Sequence, residues 1–95
     1  MNIAETILAQ LGGRKFLAMT GANALAWHPS ALSFHFPHNK GVNYCKITLT
    51  PMDTYDLEFG AIRKHVYTVR KTIEGVYHDS LQEVFTEVTG LDTHL

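Results

Sequence analysis

Short segments in which apolar and polar residues alternate constrain the fold of this chain more than any other feature. In the segment 32–36, leucine and phenylalanine alternate with serine and histidine, and the segments 45–49 and 55–59 repeat the pattern. Because successive side chains of a β-strand point to opposite faces, this period of two predicts strands that each bury one face. A proline or glycine follows each segment, so we expect short antiparallel connections rather than crossovers.

Three further segments complete the predicted sheet. The segments 15–20 and 24–28 are apolar runs that end at a glycine or before a proline. The segment 65–73 alternates, with Tyr67, Val69 and Ile73 on one side and Thr68, Arg70 and Thr72 on the other. Residues 37–41, PHNKG, have the composition of a loop.

Two helices are predicted, one towards each end of the chain. Residues 3–11 place apolar side chains at helical spacing and are followed by two glycines. The second helix, 80–89, begins with Ser80 and Glu83 at the spacing of a capping box, in which each side chain accepts a hydrogen bond from a backbone N–H. Gly90 then favours the left-handed conformation that ends many helices.

These elements predict one α+β domain over residues 1–95. We expect a two-layer sandwich in which an antiparallel sheet of about five to six strands carries the N-terminal and the C-terminal helix on one face. The other face would be open and polar, with charges of both signs, and would carry Lys46, Thr48, Thr50, Asp56, Glu58, Thr68, Arg70 and Thr72. The edge strands would allow a homodimer.

Composition limits the environments and partners that we expect. The formal net charge is −1, so the domain as a whole is not expected to attract DNA or an anionic membrane. A single cysteine, Cys45, allows no intrachain disulfide and suits a reducing cytoplasm. The N-terminal segment has no basic leader, and Glu5 and Gln10 interrupt its apolar residues, so it is predicted to be neither a signal peptide nor a membrane span.

No catalytic residue and no cofactor is predicted. The sequence contains no nucleophile elbow, phosphate-binding loop or dinucleotide fingerprint. Cys45 shares a strand side with apolar residues, which predicts an inert core thiol. Asp53, Asp56 and Glu58 are close enough in sequence to suggest acid–base or Mg²⁺ chemistry, but pairing of the last two with Lys64 or Arg70 across strands is the simpler interpretation.

His28, His35 and His38 raise the question of a metal site, because three of the six histidines lie within eleven residues. Their spacing does not match a helical ligand pair, and only one cysteine could help to complete a tetrahedral site. Solvated histidines beside a strand are the preferred interpretation, and a shallow metal site is the lesser alternative.

Two sets of charged residues are candidate binding surfaces. Asp79, Glu83 and Glu87 recur every four residues and would form an acidic ridge on the second helix, within a segment (72–95) that contains no lysine or arginine. The basic pairs around the last strand would instead suit the phosphates of a nucleic acid, and they are Arg63, Lys64, Arg70 and Lys71.

The segments KITLTPMDTYDLEF (46–59) and LQEVFTEVTGL (81–91) resemble a family of small proteins encoded by bacterial prophages and conjugative elements. The resemblance extends to RKFLAMTGA (14–22) and GVYHD (75–79). It implies an intracellular accessory protein of a mobile element and transfers no catalytic residue.

Together these features predict a non-enzymatic protein-interaction module that acts on a host or mobile-element protein through the acidic ridge. The alternative is a nucleic-acid-binding module that uses the basic strand.

Overall fold

The computed structural model describes residues 2–93, and within them the chain forms an open α+β sandwich. The elements are α1 (Ile3–Leu11), α2 (Arg14–Thr20), β1 (Asn23–Trp27), β2 (Ala31–Asn39), β3 (Val42–Leu49), β4 (Tyr55–Arg63), β5 (Val66–Val76), a 3₁₀ turn (His78–Ser80) and α3 (Leu81–Thr89). The five strands form one sheet in chain order, and every neighbouring pair is antiparallel. The predicted fold class is therefore confirmed.

The helices and the sheet meet at a cluster of phenylalanine side chains. Phe85 on α3 is completely buried and contacts the rings of four others, with centroid distances of 5.3 to 6.1 Å, and those others are Phe16, Phe34, Phe36 and Phe59. Phe16 comes from α2, and the remaining three come from the central strands β2 and β4. Since each buried aromatic side chain contributes a large apolar area, this cluster holds the two layers together.

The segment 15–20 was predicted as a strand but forms helix α2. Phe16 and Thr20, four residues apart, are both buried, and the Thr20 hydroxyl donates to the Phe16 carbonyl at 2.7 Å. The periodicity of a short apolar run is compatible with either a strand or a short helix. The strand prediction was wrong because this segment is too short for its pattern to separate the two. The two glycines after α1 therefore separate two helices.

Helix α3 occupies the predicted range, but the predicted capping box does not form. Ser80 has helical backbone angles (φ −106°, ψ −1°), and its side chain makes no capping hydrogen bond. The reason is that the 3₁₀ turn runs directly into α3, whereas a capping serine needs an extended backbone. At the other end Gly90 is left-handed, and its N–H donates to the Thr86 carbonyl, as predicted.

Two hairpin turns lie together at one end of the sheet, which we call the hairpin end. The β2–β3 turn is formed by Lys40 and Gly41, so the predicted loop 37–41 is shorter than expected and β2 continues through Pro37 to Asn39. The β4–β5 turn is formed by Lys64 and His65. All four turn residues have positive φ, between 50° and 81°, as two-residue hairpin loops require.

A register shift in β5 changes which of its side chains face the helices. The shift lies between the pairs Phe59–Lys71 and Gly60–Val69, and after it Thr68 is opposite the buried residue Ala61. Thr68 therefore belongs to the helix side and Tyr67 to the open side, the reverse of the prediction. Lys46, Thr48, Asp56, Glu58 and Thr72 lie on the open face as predicted.

None of the helices within residues 2–93 is long and apolar enough to cross a membrane.

Gly90→Ala should lower the free energy of unfolding by about 1–2 kcal/mol, because alanine is disfavoured at its φ of 75°. A Cβ there would also lie 2.9 Å from Asn39 Nδ2, which donates to the Thr89 carbonyl. Gly41→Ala is the control, since Gly41 has a φ of 81° and no neighbouring atom within 4 Å of the added Cβ. Urea unfolding should show a larger loss in the free energy of unfolding for Gly90→Ala than for Gly41→Ala. Equal losses would mean that the β2–β3 turn does not crowd the C-terminal end of α3.

Candidate functional site

The open face of the sheet carries a row of aromatic side chains near the hairpin end. His35, Tyr44 and Gly60 lie opposite one another on β2, β3 and β4. The ring of Tyr67, from β5, lies beside that of Tyr44 with a centroid distance of 5.2 Å, and the Tyr44 and His35 rings are 5.4 Å apart. We call His35, Tyr44 and Tyr67 the aromatic trio. Edge-to-face contacts hold its members, and Tyr67 is still 39% exposed.

The Tyr67 ring occupies the space that a side chain at position 60 would need. A Cβ built on Gly60 would lie 2.3 Å from Tyr67 Cε1 and 2.7 Å from the Thr68 carbonyl oxygen. Both distances are shorter than real Cβ contacts, so glycine is required there by close approach. Gly60 thus allows Tyr67 to reach across β4 towards Tyr44.

Glu58 fixes the other end of the Tyr67 side chain. The Tyr67 hydroxyl donates to Glu58 Oε2 at 2.7 Å. Partial burial of the phenol, together with this hydrogen bond and the nearby negative charge, raises the pKa of Tyr67 above its ordinary value. The contact therefore orients the ring and keeps the hydroxyl protonated.

The acidic residues of β4 have structural partners instead of the basic residues that were predicted. The register places Glu58 opposite Lys46 and Thr72, and Asp56 opposite Thr48. Asp56 Oδ1 accepts a hydrogen bond from the backbone N–H of Gly75, at the second irregularity of β5. The predicted pairing with Lys64 or Arg70 is wrong, because it considered only β5 as the neighbour of β4. The strand β3 lies on the other side of β4 and supplies Lys46 and Thr48 as the opposite residues.

The four basic residues of the nucleic-acid alternative do not share one face. Arg63 and Lys64 lie at the hairpin end, where Arg63 Nη2 is 3.3 Å from His38 Nε2. Arg70 lies at the register shift on the sheet edge, and Lys71 lies opposite the buried Phe59 on the helix side. Lys71 is thus separated from the open face by the sheet.

The topology concentrates positive charge in a way that the net charge conceals. Neither of the segments 31–52 and 59–73 contains an acidic residue, and the turns of both lie at the hairpin end. The two segments hold six of the eight lysines and arginines of the chain: Lys40, Lys46, Arg63, Lys64, Arg70 and Lys71. The lack of acidic residues in each segment is visible in the sequence. That the two segments form one region depends on the strand order, which places β3 beside β4.

The acidic ridge lines a depression on the helix layer. Asp79, Glu83 and Glu87 are exposed, and with Gln82, Thr86 and Asp92 they surround a volume of about 520 Å³. Gln82 Nε2 donates to the Leu11 carbonyl at 2.8 Å, which ties this side of α3 to the end of α1. The predicted ridge residues are therefore brought together, and Asp92 adds a carboxylate that the helical spacing did not indicate.

The three histidines in question have separate partners. His28 Nε2 is 3.0 Å from the Ser33 hydroxyl, His35 packs on Tyr44, and His38 is near Arg63. Within residues 2–93 no group of three or more histidine, cysteine or acidic side chains is arranged to hold a metal ion. The interpretation as histidines beside a strand fits this arrangement.

Ser33 and Cys45, which carry potentially nucleophilic atoms, are both buried. Ser33 has the histidine neighbour of a hydrolytic dyad, but it is only 4% exposed. Cys45 is completely buried, and burial raises the pKa of its thiol, with the charge of Glu58 as a smaller cause. Neither atom can reach a substrate in this conformation, which supports the predicted inert role of Cys45.

Comparison with known proteins provides no relative from which a function could be transferred. No protein-family model matches the chain, and no curated protein and no solved structure is significantly similar to it. The link to prophages and conjugative elements therefore stays a prediction.

Gly60→Ala should destabilise the protein by about 1–3 kcal/mol, because the added methyl group displaces the Tyr67 ring. Tyr67→Ala in the same background should recover part of this loss. Urea unfolding of the wild type, both single variants and the double variant measures the coupling between the two positions. Additive effects would show that the two positions do not interact.

Tyr67→Phe should remove one component of the tyrosinate titration from above the ordinary range, while that of Tyr55, whose pKa is raised by burial, remains. Because the pKa of Tyr67 is raised in the folded state, its contribution to stability is complete below the ordinary value of 10.0 and is lost as the pH rises above it. Ultraviolet absorbance between neutral and strongly alkaline pH follows the ionisation. Loss of a component within the ordinary range would contradict the assigned hydrogen bond.

Proposed function

We propose that this chain is a non-enzymatic interaction module that binds a basic segment of another protein through the acidic ridge. The observation that carries the proposal is the convergence of the ridge and Asp92 on one depression. Carboxylates placed together on a rigid surface attract a cationic partner, speed its approach and exclude acidic competitors.

The ridge is held in place by the core beneath it. Leu81 and Phe85 are completely buried on the opposite side of α3, so the helix cannot turn without disrupting the phenylalanine cluster. Glu83 and Glu87 lie one helical turn apart, about 6 Å along the axis. A partner helix with lysine or arginine at every fourth position would match this spacing.

An exposed aromatic side chain lies beside the ridge in the sequence. Tyr77 directly precedes the 3₁₀ turn that carries Asp79, and it is 66% exposed. Tyrosine is among the residues that dominate binding energy at protein interfaces. Tyr77 could therefore provide apolar contact next to the charged contacts.

The proposed partner is a protein of the host or of a mobile element. The resemblance of residues 46–59 and 81–91 to small prophage and conjugative-element proteins supports this setting. The burial of Ser33 and Cys45 supports a role without covalent chemistry.

Two labelled helical peptides of identical composition test the ridge, one with its lysines at every fourth position and one with them in adjacent pairs. We expect fluorescence anisotropy to show tighter binding of the peptide with spaced lysines. Glu83→Lys with Glu87→Lys should weaken this binding by at least about tenfold, since each reversal replaces an attraction between opposite charges by a repulsion between like charges. Asp53→Lys with Glu74→Lys is the matched control, because it changes the net charge equally outside the ridge.

If both double variants lose the same affinity for the spaced peptide, the effect depends only on net charge, and the ridge is not a specific site. Equal affinity for the two peptides would also reject the ridge as a specific site.

A further inference from the structure

We propose that the open sheet face at the hairpin end binds single-stranded nucleic acid, with bases packed on the aromatic trio and phosphates held by the surrounding basic side chains. This surface lies on the opposite side of the sheet from the helix layer, so the proposal is independent of the acidic ridge.

Charge supports a polyanionic occupant. The two segments whose turns meet at the hairpin end contain none of the nine acidic residues. Of their six basic residues, Lys71 lies on the helix side and Lys40 lies against Gly90. The remaining four lie on the open face, beside the β4–β5 turn or at the sheet edge, and they are Lys46, Arg63, Lys64 and Arg70. Glu58, the acidic residue nearest to the trio in the strand register, lies opposite Lys46 and accepts the Tyr67 hydroxyl. Its carboxylate orients the ring and lies on the side of the trio away from the hairpin turns.

The aromatic trio supports contact with bases. Its rings come from β2, β3 and β5, with neighbouring centroids 5.4 and 5.2 Å apart, and each of its members is at least partly exposed. Base stacking on aromatic side chains tolerates any sequence, and sheet modules that bind RNA stack two or three bases in this way. In a duplex the bases are already stacked on one another, so their faces are not available to the trio.

The β4–β5 turn independently favours phosphate binding. Two-residue turns with positive φ at both positions favour Asn-Gly, yet this turn has Lys64 and His65, with φ values of 50° and 67°. A cation and an imidazole thus replace the residues that the backbone prefers. Arg63 and His38 lie beside this turn, with Arg63 Nη2 3.3 Å from His38 Nε2. The hairpin end next to the trio therefore presents several hydrogen-bond donors to phosphate.

Fluorescence anisotropy with labelled oligo(U), oligo(dT) and a DNA duplex of the same length tests the proposal at low salt. We expect binding of at least one single strand, and binding of the duplex weaker by about tenfold or more. Tyr44→Leu and Tyr67→Leu should each weaken single-strand binding by about tenfold without changing its salt dependence, because they remove stacking and keep an apolar side chain.

Arg63→Gln with Lys64→Gln should reduce the magnitude of the negative slope of log K against log salt by about 0.7 for each phosphate that the variant no longer neutralises. The matched control is Arg14→Gln with Lys15→Gln, which removes the other two basic residues, on α2, and should change affinity less than twofold. The proposal is overturned by absence of single-strand binding at low salt, by preference for the duplex, or by equal weakening in the two double variants.

Discussion

The contact of the Phe85 ring with the other four phenylalanines is the interaction on which the rest of this structure depends. It attaches α3 to α2 and to the central strands, since its partners come from α2, β2 and β4. The helix layer is thereby centred on the middle of the sheet. β5 lies outside this centre, and its residues 66–72 are exposed. The exposed side chains of this edge strand are thus available for binding.

Register then decides what that edge strand presents. In a regular strand Tyr67 would face the helices, and the open face would carry threonine and arginine. The shift beside Gly60 turns Tyr67 to the open face, and the missing side chain at position 60 leaves room for its ring. Glu58 and Tyr44 then hold the ring from two directions. One irregularity in one strand pair therefore adds a third aromatic ring to the face that already carries His35 and Tyr44.

Strands whose alternation is strict were predictable from the sequence, and irregular elements were not. The segments 32–36, 45–49 and 55–59 lie within β2, β3 and β4, because each buries one face against the same core. Helix α2 was missed since its seven residues contain too few turns to show a period. Tyr67 was assigned to the wrong face because a register shift depends on the partner strand, which local alternation does not reveal.

The candidate surfaces differ in the same way. The acidic ridge could be predicted because its residues follow the helical repeat at α3 and the turn before it. The hairpin end could not, because its basic and aromatic side chains come from four strands and become neighbours only through the strand order. The resulting molecule has acidic residues along α3 and an aromatic end of the sheet whose two turns contain lysine and no acidic residue.

The central claim is that this end of the sheet recognises single-stranded nucleic acid. The most direct measurement is an NMR titration of ¹⁵N-labelled protein with unlabelled oligo(U) or oligo(dT), which reports each backbone amide separately. We expect the largest shifts at His35, Tyr44 and Lys46 and at residues 63–67, with the amides of α3 unchanged. Shifts confined to α3, or no shifts at low salt, would contradict the claim.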